Sequence, residues 1–106
     1  MIKELYEEMK NRLLNMDNNV SIQPRKQTIG FKINNNIFCD IVLLTQGLKI
    51  YLNLKSGDLN DMQKIARDVS NVGHWGNGSY EIKMNDTENI DYIISLIKQS
   101  LKKNKF

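Results

Sequence analysis

The residues with the most chemical potential stand in one short loop, His74-Trp75-Gly76-Asn77-Gly78, which holds the only histidine and the only tryptophan of the chain. A tryptophan in a glycine-rich loop can stack on a base, a ring or a partner side chain. A histidine can give or take a proton near neutral pH. Upstream stand Arg67, whose guanidinium can hold an anion through two parallel N–H bonds, and Asp68. Together these residues would make a small-ligand or enzymatic pocket. The same residues admit a plainer role, in which Trp75 closes one end of the core and the glycines permit a tight turn. Neither GxGxxG nor P-loop spacing is present, so the glycines do not make a phosphate loop.

A second candidate is a basic sheet face. Lys32, Lys49, Tyr51 and Asn53 fall on alternate positions of apolar runs, which places them on one side of a sheet. Lysines with an aromatic on such a face can bind single-stranded nucleic acid. A solvated or partner-covered face has the same pattern.

Other chemistry is absent from the pattern. Asp58 with Asp61, and Asp86 with Glu88 and Asp91, sit where first helical turns are expected, so caps and dipole partners account for them better than acid/base catalysis. Cys39 lies in the apolar run Ile37-Phe38-Cys39-Asp40-Ile41-Val42 and reads as a small buried hydrophobe. A lone cysteine makes neither an intrachain disulfide nor a zinc site, and it fits a reducing cytoplasm. No catalytic residue, metal site or cofactor is singled out.

At 106 residues, with 41% hydrophobic and 25% charged side chains, the chain has room for one globular domain over 1–106 and no sign of disorder. No apolar stretch approaches the roughly 20 residues needed to cross a bilayer. The net charge of +3 is unevenly placed: residues 24–55 carry +4 and residues 96–106 another +4, against −1 over 1–23 and −4 over 56–95. That is weaker than the single strong basic face of a dedicated nucleic-acid binder.

The elements that must position these residues follow from periodicity. Ile2, Leu5, Met9, Leu13 and Met16 keep helical spacing, which predicts an amphipathic helix over 2–16. Pro24 keeps residues 18–25 in a turn or extended form. Alternation over 28–34, 37–44 and 48–53 predicts a three-stranded antiparallel meander, turning first through Asn34-Asn35-Asn36, residues that tolerate left-handed backbone. Met62, Ile65, Ala66 and Val69 suggest a short helix over about 59–70. Tyr80, Ile82 and Met84 mark a fourth strand. Asn85 or Asp86 would cap a last helix striped by Ile90, Ile93, Ile94, Ile97 and Leu101, with a basic tail fraying over 102–106. The predicted class is α+β, a two-layer sandwich in the order α-β-β-β-α-β-α with the helices packed on the sheet.

Three stretches taken together, Ile50 to Leu54, Ala66 to Gly78 and Tyr80 to Leu101, resemble a bacterial and archaeal domain family of unknown function, labelled in places "predicted transport protein". The resemblance covers about residues 30–101, and the run ARDVS…GHWGNG is its most specific part. Shared positions are Arg67, Asp68, Ser70, Gly73, His74, Trp75, Gly76, Asn77 and Gly78. The family's domain often stands as a C-terminal module behind others, including nuclease-like domains of restriction systems. The resemblance therefore implies an accessory module that binds nucleic acid or a nucleic-acid-processing partner. It brings no catalytic residues with it. Besides this module and the small-ligand pocket, a third expectation is a structural domain that self-associates through its polar sheet face.

Overall fold

A computed structural model describes residues 2–73 and 78–105. Helix α1 (Ile2–Leu14) is followed by strands β1 (Val20–Pro24), β2 (Ile29–Ile33), β3 (Asn36–Leu43), β4 (Leu48–Leu52), β5 (Arg67–Asp68) and β6 (Tyr80–Met84), and then by helix α2 (Ile90–Asn104). The strands form one sheet in the order β1-β2-β3-β4-β6-β5, and every neighbouring pair is antiparallel. Helices on one side of an antiparallel sheet are the α+β sandwich that the alternation implied.

Register decides what each face carries. Ile29, Ile41, Ile50 and Ile82 line up across four strands. The helices set their apolar stripes on this face, with Leu5, Met9 and Leu13 from α1 and Ile93, Leu96, Ile97 and Leu101 from α2 in the same core cluster. Phe31, Phe38, Ile41, Ile50 and Leu52 are fully shielded there. A register irregularity between Phe31 and Lys32 lets β3 place one extra residue against β2.

The β2–β3 turn behaves as its composition predicts, with Asn34 and Asn35 at φ 50° and 71°. It also does something that composition did not announce. Asn34 and Asn36 donate their side-chain amides to the carbonyls of Lys105 and Asn104, so the turn seals the C-terminal end of α2. Asn104 in turn donates to the Asn53 carbonyl at 3.0 Å, and Asn53 donates to the Ile37 carbonyl at 2.7 Å. Ser100, fully buried, donates its hydroxyl to the Phe38 carbonyl. Lys105 reaches Asp17 at 2.8 Å and holds that carboxyl below its usual range. The lysine-rich end, expected to fray from 102 onward, is thus helical to Asn104 and tied down through Lys105.

Three further expectations differ from the structure. Residues 59–70 do not form a helix. Met62 is 86% exposed and Lys64 takes a left-handed φ of 54°, so the apparent helical period does not mark a buried stripe. The segment lies against α2 instead. Tyr92 donates to Asp61, the Gln63 amide donates to the Tyr92 hydroxyl, and Asn60 and Gln99 exchange two hydrogen bonds. Second, residues 20–24 are extended, as one of the two forms expected for them, but they also pair to β2 as a strand that the expected order lacked, and Pro24 is tolerated because β1 lies at the sheet edge. Third, α2 begins later than expected. Asn89 is at the cap position without a side-chain cap, while Asp86 accepts the Glu88 amide within the preceding turn.

Two outcomes follow. Cys39 is fully buried, and burial together with the adjacent Asp40 charge pushes its thiol well above the usual range. It should stay unmodified by an aromatic disulfide reagent in buffer and react stoichiometrically in denaturant. Asn104→Ala should lower stability by about 1–3 kcal/mol in urea unfolding, because it takes the donor from the Asn53 carbonyl at a partly buried joint and leaves the Asn53 amide only its bond to the Ile37 carbonyl.

Candidate functional site on the second sheet face

The face turned away from the helices carries charge instead of a second apolar layer. One row crosses all six strands: Gln23, Gly30, Asp40, Tyr51, Glu81 and Arg67 stand in successive register. Beside it run Val42, Lys49 and Lys83, and on the other flank Ser21, Lys32 and Ile37. Alternation puts all of these on the same side.

The acids in this row are buried and the cations are not. Asp40 is 0% and Glu81 6% exposed. Burying a carboxylate is costly unless donors meet it. Asp40 accepts the Thr28 hydroxyl at 3.0 Å and has the Arg25 guanidinium at 3.5 Å. Glu81 accepts the Tyr51 hydroxyl at 3.0 Å, with the Lys49 ammonium 3.8 Å away. Arg25 and Lys49 keep about a third of their side-chain surface in solvent (34% and 31%), while Lys83 and Arg67 are exposed. Gly30 belongs to the same construction. A Cβ there would press on the Ile37 side chain and approach Asp40 Oδ1 at 3.3 Å, so glycine leaves the space that the carboxylate occupies.

Of the residues that the sequence singled out, Lys32, Lys49 and Tyr51 do share this face. Tyr51, however, is only 2% exposed, and its hydroxyl is engaged by Glu81. It is a strut beneath the surface and no stacking platform. Asn53 leaves the face to join the α2 joint described above. Arg67 ends the charged row opposite Glu81. Asp68 lies on the exposed edge and organises its own loop. It accepts the Ser56 hydroxyl and the Ser70 amide, and these bonds hold its carboxyl below its usual range. His74, Trp75 and Asn77 lie outside the described residues.

Gly78, the last glycine of the run, has φ 93°, and a Cβ there would overlap the Leu52 carbonyl, so the position excludes other side chains. It lines a cleft of about 400 Å³ with Lys55, Asp58, Ser79 and Lys103. The described residues contain no cluster of acids, cysteines or histidines able to hold a metal ion. No helix among them is long and apolar enough to cross a membrane.

Sequence reasoning passed over Arg25, Asp40, Glu81 and Lys83. Asp40 had left a signal, since an aspartate inside an apolar run must be buried with partners. Which partners meet it depends on pairing that periodicity does not reveal.

The class defined by these features is an α+β sandwich with one sheet face buried under helices and the other bearing cations above internally paired acids. The chain belongs to the family described as Domain of unknown function (DUF5655), whose model matches residues 1–104. It is 48% identical over 101 residues to an uncharacterized protein of Haemophilus influenzae, an alignment that takes in 95% of this chain and 33% of that protein. The chain therefore spans about a third of the length of that relative. No solved structure matches.

The Tyr51–Glu81 bond makes a measurable pH signature. Burial, then the hydrogen bond and charge of Glu81, push the Tyr51 phenol from 10.0 up to about 12. A folded-state value above the unfolded one stabilises the protein fully below pH 10, and that stability is lost as pH rises from about 10 to about 12. Tyr51→Phe should cost about 1–3 kcal/mol at pH 7, because Glu81 loses its donor. The variant should also lose less stability than the parent between pH 9 and 11.5 in matched urea titrations.

Proposed function

We propose that this chain is a non-catalytic accessory module that contacts the phosphate backbone of nucleic acid through the second face of its sheet. The observation that carries this reading is the arrangement of charge by depth. Asp40 and Glu81 are buried and satisfied, while Arg25, Lys32, Lys49, Lys83 and Arg67 stand toward solvent. The outward field of such a face is positive although the chain carries only +3 overall. With Tyr51 withdrawn beneath the surface, the described part of the face offers cations for backbone contact, which gives affinity with little sequence discrimination.

The module part of the reading rests on proportion. A relative three times as long contains this unit as one third of its length, leaving room for a further domain to act where the module binds. A nuclease or restriction-type partner suits that arrangement, with the module raising the local concentration of substrate. Its location would then be cytoplasmic.

Labelled single-stranded DNA, duplex DNA and RNA, titrated at low and at physiological salt, test the reading. Binding should weaken steeply as salt rises, since each phosphate contact releases condensed counterions. Lys32→Glu combined with Lys49→Glu should abolish it. Binding that is insensitive to salt, or a double variant that binds as the parent does, would sink the sheet-face reading.

A further inference from the structure

We propose that Lys49, Lys83 and Arg67 form a seat for one phosphate-type oxyanion at the β4–β6–β5 end of the second face. The proposal narrows the backbone-binding reading above and, in part, rests on it. Lys49 and Lys83 are direct cross-strand partners on one face. Like charges placed opposite each other in a sheet destabilise it. Glu81 relieves this only in part. Its carboxylate lies 3.8 Å from Lys49 and already accepts the Tyr51 hydroxyl. Arg67 stands directly across β6's other edge, paired in register with Glu81. Three cations thus hold register positions next to a single buried carboxylate, which pairs with Lys49 alone, and Lys83 and Arg67 make no ion pair among the described residues.

An oxyanion placed above Glu81, between the two lysines, would neutralise this excess and remove the repulsion. Arg67 offers parallel N–H donors that match the oxygen spacing of a phosphate, and the lysines act as point charges. Tyr51 is a positioning residue here. Its hydroxyl holds Glu81, and Glu81 holds the Lys49 ammonium beside Lys83.

The test uses inorganic pyrophosphate and a labelled DNA duplex as probes. The proteins are the full chain, its Lys83→Gln and Arg67→Gln variants, and a Lys102→Gln control on α2. Pyrophosphate should move the backbone amide signals of Lys49, Lys83 and Arg67. Each site variant should weaken it roughly tenfold, the effect of losing one charge-assisted hydrogen bond, and the control should leave it unchanged. With the duplex, the slope of log affinity against log salt should fall by about one for each site variant. In low salt without added anion, Lys83→Gln should melt above the parent, because the opposed lysines are gone. A lysine kept for structure alone would give the reverse, and a lower melting temperature counts against the proposal. Unmoved amides, or variants that hold pyrophosphate as the parent does, overturn it. Pyrophosphate binding without duplex binding keeps the seat and retires the polynucleotide reading. Duplex binding indifferent to Lys83 and Arg67 keeps that reading and removes the seat.

Discussion

A carboxylate shut away from water must be met by donors, and Glu81 finds them within its own sheet. Tyr51 opposes it across β4 and Lys49 reaches it from the diagonal position. Both contacts exist only in the observed register of β4 with β6. A slip of one residue would turn Glu81 toward the helices and Ile82 toward solvent. The same register sets Ile50 against Ile82 on the apolar face, where α1 and α2 settle. Polar demand on one side and apolar demand on the other therefore select a single pairing. The row from Asp40 to Arg67 follows from it.

Much of this frame was legible in the residues. The meander, the strand at Tyr80 and both terminal helices came from unbroken periods with one face buried. Where the period misled, the cause was local. Met62, Ile65, Ala66 and Val69 imitate a helical stripe, but the segment takes its hydrogen bonds from α2 side chains, and a left-handed Lys64 interrupts any turn. Val20 and Ile22 alternate correctly but are only half-buried, and Pro24 concealed a strand that needs few ladder bonds because it lies at an edge.

The charged face was half legible. Alternation placed Lys32, Lys49 and Tyr51 together, because side-chain direction in a strand is a local property. It could not place Glu81 or Lys83 opposite them, because the partner of β4 lies about thirty residues further along the chain. Nor could it tell a buried tyrosine from an exposed one. That depends on Glu81, which supplies the acceptor making burial of a hydroxyl tolerable.

The joint at the end of α2 carries a consequence for how the molecule is made. Asn36, Phe38, Asn53, Ser100 and Asn104 meet at one point, drawing together three stretches that leave the ribosome at different times. Until residues 90–104 have emerged, the sheet can pair its strands but has no α2 to cover Phe38, Ile41 and Leu52. A nascent chain therefore passes through an interval in which a row of large apolar side chains faces water or a chaperone. The interval ends in one late step, when α2 docks and the asparagines close over its carbonyls.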